Sequence, residues 1–321
     1  MHAIQLHAFG PAENLRLETV PDPQPGPGQV RIAVAAAGVH FVDTALRQGL
    51  PGPYPVPELP TIPGREVAGI VESLGPQTDP SWLGKHVVTH LGAVPGGYAA
   101  LAVADSARLH EIPANLDAAE AIAMIGTGRT TLGILQFADL GPGSVALVTA
   151  AAGGIGTLLV QAAANAGAFV IGLAGGPAKT ARVAANGADI ALDYLRPDWA
   201  ERLGGHRPTV VFDAVGGDIA RTAVDLLGKG GRHLVYGYAD GPLTVTETEQ
   251  NERGITSEVV LGPAMLQRVG GDIRVLETRS LAEAAAGRLR PAVQRFPLAD
   301  AARAHHALQT RGTMGKVVLI P

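Results

Sequence analysis

Apolar and polar positions alternate in short runs over the first third of the chain, in AIQLHAF, QVRIAVAAAGV, EVAGIVESLG, KHVVTHLG and YAALAVA. Turn signals such as PGPGQ and GPQTDP cut these runs apart, as expected of half-buried strands in an irregular sheet. They predict a mostly β domain over residues 1–116. From residue 117 the rhythm changes: short, almost wholly apolar runs (SVALVT, FVIGLA, DIALDY, TVVFDAVGG, RHLVYGY) alternate with Ala-rich helical segments (GIGTLLVQAAANAGA, AKTARVAANGA, RTAVDLLGKGG). Strands apolar throughout are buried on both faces, so this stretch, 117–254, predicts a parallel sheet wound by helices. Residues 255–321 end that domain and return to the first, closing with FPLADAARAHHALQTRGTMGKVVLIP, a capped helix and a final strand. The Pro-rich PGPYPVPELPTIPG reads as a stiff surface excursion.

Composition narrows the chemistry. The chain has 321 residues, 46% hydrophobic and 17% charged, enough apolar material for large buried cores. It contains no Cys, which removes disulfide scaffolds, thiol nucleophiles and every Cys-ligated metal. A net charge of -4 with 4% aromatic residues offers little for phosphate neutralisation or base stacking, so no nucleic-acid partner is expected. The start, MHAIQLHAFGPAENLRLETVPDP, has neither a basic segment nor an apolar core, and no membrane-length apolar run follows. A cytoplasmic protein without a membrane anchor is the expectation.

The strand SVALVT runs into AAAGGIG and then an apolar helix. In a dinucleotide fingerprint of this placement, Gly153 lets backbone approach a pyrophosphate and Gly156 lets the helix pack on the strand, with Ala151 where the first glycine would stand. Ala152, Gly153, Gly154, Ile155 and Gly156 are the candidate cofactor turn, its free helix-start N–H groups facing the anion. The plainer alternative is a tight strand-to-helix joint. Where an acidic residue would hold the ribose of NAD, the chain reads Ala174-Gly175-Gly176-Pro177-Ala178-Lys179. A missing carboxylate and a nearby ammonium favour NADPH over NADH, although Lys179 as a solvated helix-start residue is the competing reading.

The chain resembles the medium-chain dehydrogenase/reductase superfamily, in its zinc-free quinone oxidoreductase branch that includes zeta-crystallin. The markers are AAAGVHFVDTALRQG, IPGREVAGIVESLG, AAAGGIG, FDAVGG and RAHHALQTRGTMGKVVLIP, spread over nearly the whole sequence. The resemblance implies an α/β architecture: a Rossmann-type doubly wound parallel sheet plus a mostly β, GroES-like catalytic domain. It also places His40 and Arg65 where zinc-dependent relatives carry a Cys and a His ligand, which leaves too few ligands for catalytic zinc. No metal is expected. His40 falls where quinone oxidoreductases usually carry Asn near the nicotinamide ribose, a packed strand-end His being the alternative. Thr130 resembles a threonine near the nicotinamide, with a helix cap as rival. Gly175, Lys179 and Tyr194 resemble a 2'-phosphate pocket, Arg311 an arginine reaching the cofactor, and Gly237 and Tyr238 the backbone beside the nicotinamide. Asp43 and Glu66 match carboxylates that read as structural, Lys316 reads as an exposed start of the last strand, and the direction of Arg129 is open.

Without a metal to polarise a carbonyl, the reaction that asks least of the protein is hydride transfer to an acceptor already electron-poor, a quinone or enone. Tyr54 is the candidate for lining the acceptor pocket or donating to its oxygen, and Tyr98 for core packing. The expected protein is an NADPH-dependent quinone or enone reductase. The alternatives are an enoyl reductase or tailoring enzyme of a biosynthetic pathway, and a non-catalytic NADPH-binding scaffold or sensor. A homodimer is expected by resemblance, through the β-branched run ITSEVVL.

Overall fold

The computed structural model describes residues 1–52 and 54–321. The chain divides into two compact units, the first formed by Met1–Thr127, Ser280–Ala285 and Pro291–Pro321, the second by Gly128–Arg279 and Ala286–Arg290.

In the first unit, β1 (His2–Leu6) pairs antiparallel with β2 (Leu15–Thr19). The long β3 (Gln29–Val39) leads into α1 (Phe41–Arg47), and β4 (Glu66–Leu74), β5 (His86–His90), β6 (Leu101–Asp105), β7 (His110–Glu111) and α2 (Ala118–Ile122) follow. Alternation puts Val30, Ile32, Val67 and Val87 into one core with Ile4, Leu6 and Tyr98, because side chains two apart on a strand share a face.

The second unit begins with α3 (Arg129–Leu135) and β8 (Val145–Val148), then α4 (Gly154–Asn165), β9 (Phe169–Ala174), α5 (Pro177–Ala185) and β10 (Ile190–Asp193). It continues through β11 (Val210–Asp213), α6 (Gly217–Asp225), β12 (Arg232–Val235), α7 (Glu247–Arg253), β13 (Thr256–Val259), α8 (Pro263–Gln267) and the first half of α9 (Arg274–Ala285), whose residues from Ser280 on belong to the first unit. The chain then returns to the first unit through β14 (Val293–Pro297), α10 (Ala301–Gln309) and β15 (Lys316–Ile320). There β15 lies between β14 and β3, in the order β14-β15-β3-β4-β5-β7, with β6 also on β3.

The six strands of the second unit are all parallel, in the order β10-β9-β8-β11-β12-β13. This is the doubly wound arrangement, whose order reverses between β8 and β11; ligands of such sheets bind outside the carboxyl ends of the strands at that reversal. The predicted α/β class with a parallel sheet and a separate β-rich unit is the observed architecture. No helix among the described residues is long and apolar enough to cross a membrane.

Candidate active site

The carboxyl end of β8 turns sharply into α4. Ala150 takes a positive φ of 47°, a conformation that side chains usually avoid. Gly153 caps α4 in extended backbone with no side-chain cap. The first intrahelical bond is Thr157 N–H to Gly153 oxygen, 2.9 Å, so the preceding N–H groups of the helix start have no intrahelical acceptor. A Cβ on Gly156 would lie 2.3 Å from the Ala150 oxygen and 2.7 Å from the Ala151 Cα. Only glycine lets the helix approach the turn this closely. Ala152 is buried, and Gly154 and Ile155 are half-buried at the helix start. The turn thus has the donors and the space that a pyrophosphate needs.

After β9, a Cβ on Gly175 would meet the Tyr194 oxygen at 3.2 Å, so Tyr194 stands beside the space that Gly175 leaves open. Lys179 lies half-buried in the first turn of α5. The stretch after β9 holds no acid, yet a carboxylate does reach it. Asp193, at the end of β10, accepts from the N–H groups of Gly176 (2.9 Å) and Leu195 (3.0 Å). The oxygen that takes both bonds is committed to the backbone, and the sequence reading missed this because Asp193 comes from the next strand.

At the ends of β11 and β12, a Cβ on Gly237 would meet the Ala214 oxygen at 2.7 Å, so the loops after these strands are in close contact. A buried polar chain underlies them. Thr149 Oγ1 donates to Asp213 Oδ1 (3.1 Å) and accepts from Ala214 N–H (2.9 Å). Asp213 Oδ2 lies 3.4 Å from His233 Nε2, and His233 Nδ1 lies 2.8 Å from the Ser257 hydroxyl. Burial pushes the Asp213 pKa up, but the His233 bond and the N–H groups of Val215 and Gly216 outweigh it and hold the carboxyl below its ordinary range. Tyr238, beyond Gly237, is 50% exposed. Thr130 is half-buried in the first turn of α3, and its neighbour Arg129 pairs with Glu277 rather than facing solvent.

In the first unit the structure brings together charges that the sequence separates widely. Glu66, at the start of β4, is fully buried, with His40 Nε2 2.6 Å from one oxygen and Lys316 Nζ 2.8 Å from the other. These are ion-pair distances, although the angles miss hydrogen-bond geometry. Two glycines clear the space, since a Cβ on Gly126 would lie 1.6 Å from Glu66 Oε1 and one on Gly38 2.1 Å from Oε2. Desolvation pushes the Glu66 pKa up, but the charges of His40, Lys316 and His90 prevail and hold it well below the usual glutamate range. Lys316 is 4% exposed, which corrects its reading as a surface residue: it starts β15 facing inward toward the carboxylate. Glu66 pairs with His40 and Lys316, while its sequence neighbour Arg65 faces Asp43 at 3.5 Å.

Asp43 joins several elements. Its Oδ2 accepts from the His40 backbone N–H and from the Tyr98 hydroxyl, both at 2.9 Å. Tyr98 is a core residue, as expected, and its oxygen lies 3.2 Å from His305 Nε2. Burial pushes the His305 pKa down to about 4, so this imidazole is neutral at pH 7. Tyr54 stacks on His90, with its oxygen 3.2 Å from His90 Nε2, and the Arg65 guanidinium covers its ring at 4.5 Å. The His90 and His40 rings are 6.4 Å apart, so Tyr54 and His40 share one neighbour. His90 was not singled out from the sequence. It ends β5, whose last four residues are all buried. Arg311 lies exposed after α10 with φ 56°.

Residues 26–114 match the family of alcohol dehydrogenase GroES-like domains and residues 186–319 that of zinc-binding dehydrogenases. The chain is 34% identical to a quinone oxidoreductase of Pseudomonas aeruginosa, with 99% of each chain covered. It is 33% identical to a 2-haloacrylate reductase of a Burkholderia species, over 99% of this chain and 98% of the other. The crystal structure of Escherichia coli quinone oxidoreductase complexed with NADPH superposes with a TM-score of 0.86, at 29% identity and full coverage of both chains. The chain therefore belongs to the quinone oxidoreductase branch of the medium-chain dehydrogenase/reductase superfamily, with a GroES-like and a Rossmann-type unit, and is an oxidoreductase.

Proposed function

We propose that the protein transfers a hydride from NADPH to a quinone or an α,β-unsaturated carbonyl compound without a metal ion, as a cytoplasmic homodimer. The observation that carries the cofactor half is the α4 turn, where Gly156 packs against the Ala150 oxygen and leaves the helix-start N–H groups to an anion. NADPH, when bound, supplies the hydride. Ala152, Gly153, Gly154, Ile155 and Gly156 hold the pyrophosphate, and Gly175, Lys179 and Tyr194 take the 2'-phosphate, with Lys179 as its point charge. Gly237 and Tyr238 supply backbone beside the nicotinamide, and Thr130, His40 and Arg311 contact the cofactor. Tyr54 lines the acceptor pocket.

The residues present do not fit zinc. His40 Nε2 and Lys316 Nζ occupy the two oxygens of Glu66, and among the described residues no three metal-binding side chains converge. Catalytic zinc needs three protein ligands and an open position. An acceptor that is already conjugated needs no Lewis acid, only orientation, exclusion of water and a hydrogen bond to the oxygen that gains charge. For the dimer, support comes from β13, the outer strand of the parallel sheet, where Val259 is 54% exposed.

The test is NADPH consumption across a panel of quinones, small enones, haloacrylates and enoyl thioesters, each repeated with NADH. Turnover of quinones or small enones with preference for NADPH supports the proposal. Turnover confined to enoyl thioesters moves the protein to a biosynthetic enoyl reductase, and binding without turnover to a scaffold or sensor.

A further inference from the structure

We propose that Asp193 is the specificity-determining residue that limits the preference for NADPH, so that the protein binds NADH as well; the proposal rests on the 2'-phosphate pocket read above. In sheets of this kind the acid that reads the ribose ends the strand that follows the glycine-turn helix. Here that strand is β9, and it ends in Ala174. The acid comes instead from one strand over. Asp193 ends β10, pairs with Ala174 in parallel register, and reaches across one strand spacing to the Gly176 N–H at 2.9 Å. The same oxygen, Oδ1, accepts from the N–H of Leu195 at 3.0 Å. Both bonds need only an acceptor, so the turn itself does not require the negative charge. Among the described residues nothing donates to Oδ2, which is left for a hydroxyl such as that of a ribose.

The carboxylate offsets what Lys179 brings. Lys179 stands in the first turn of α5, and Asp193 is bonded at Gly176, the cap of the same helix. The pocket thus carries one ammonium and one carboxylate, where a lysine alone would give a net attraction for an anion. Arg196 adds little, since Asp198 holds it at two points, both 3.0 Å. Backbone donors are depleted too. The Gly176 N–H is taken, and Pro177, at the first helical position, has none, so the start of α5 offers an anion only the N–H groups of Ala178 and Lys179. No side chain caps α4 in this way. The two turns therefore divide the work: the α4 turn holds the pyrophosphate common to both cofactors, and the α5 turn tells them apart only weakly.

The test measures Kd for NADPH and for NADH by calorimetry in the parent, Asp193→Asn and Lys179→Ala, at about 0.05 M and about 0.5 M NaCl, which set weak and strong screening. The parent should bind NADPH no more than about tenfold tighter than NADH, because the two pocket charges offset each other. Asp193→Asn keeps an acceptor for the Gly176 and Leu195 N–H groups and removes the charge. It should bind NADPH about fivefold tighter and NADH about twofold weaker at low salt, and the gain for NADPH should shrink below about twofold at high salt. A substitution that merely loosened the turn would weaken both cofactors. A ratio of the two Kd values unmoved by Asp193→Asn, weaker NADPH binding in that variant, or a parent preference for NADPH of more than about tenfold overturns the proposal. If circular dichroism shows Asp193→Asn unfolded, the parent's ratio decides alone. A parent that binds neither cofactor, or losses in Lys179→Ala that are equal for both, overturns the pocket reading and this proposal with it. A loss in Lys179→Ala confined to NADPH, with a ratio unmoved by Asp193→Asn, overturns only this proposal.

Discussion

Replacing Glu66 by Gln tests whether the buried carboxylate organises the first unit. The substitution keeps the volume and removes the charge, leaving the Lys316 ammonium, 4% exposed, without the anion that faces it at 2.8 Å. Removing one member of a buried ion pair costs about 3–5 kcal/mol, because the remaining charge stays desolvated. With a urea dependence of about 2 kcal/mol per molar, the unfolding midpoint should fall by about 1.5–2.5 M. The assay can be confined to the right unit. Trp82 packs against the first unit's core and Trp199 against a core of the second, so in a Trp199→Phe background the fluorescence transition reports Trp82 alone. The double change Glu66→Leu with Lys316→Met should recover most of the loss, since a well-packed apolar pair replaces a buried ion pair at little cost. The pH dependence supplies a second reading. The folded pKa of Glu66 lies well below its unfolded value. Its contribution is therefore fully present above the ordinary glutamate pKa of about 4.3 and is lost as pH falls from there toward the folded value. Glu66→Gln should lack that part of the acid slope. A midpoint within about 0.3 M of the parent, with an unchanged acid slope, would refute the reasoning.

Gly156→Ala drives a methyl group into backbone at 2.3 Å; it should destabilise the second unit by about 1–3 kcal/mol and weaken NADPH binding, both read by urea titration of Trp199 fluorescence with and without cofactor. Lys179→Ala should weaken NADPH but not NADH by about 1.5–3 kcal/mol in calorimetry, the value of a charge-assisted hydrogen bond; equal losses for both would mean that the 2'-phosphate pocket lies elsewhere. His305, with a folded pKa of about 4, binds a proton more readily when unfolded, so stability should rise with pH from about 4 to about 6.5 by up to about 1.4 kcal/mol per unit; His305→Gln should flatten that slope in urea titrations. Charged residues introduced at Val259 should convert a dimer to a monomer on a calibrated column if β13 is the contact.

How far the sequence revealed this structure depended on how local each constraint is. The α4 turn was legible because its requirement, glycine where the helix meets the strand, lies within a few residues; Gly156 stands 2.3 Å from backbone as that reading requires. The left-handed Ala150 left no signal, because alanine rarely adopts it. The parallel sheet was legible from its apolar strands. The Glu66–Lys316 contact was not, because it depends on β15 lying beside β3, a long-range pairing that no periodicity encodes. Lysine is seldom buried, so the default favoured the surface for Lys316. Asp193 escaped notice for the same reason as His90: each acts on a segment far from it in sequence.

The most direct measurement is the initial rate of NADPH oxidation, with product identified, using a quinone and a small enone as acceptors, before and after exhaustive chelation. One acceptor should be reduced per NADPH consumed, at a rate unchanged by the chelator. A rate that collapses on chelation and returns with zinc, or NADPH bound without any acceptor being reduced, would rule out metal-free hydride transfer.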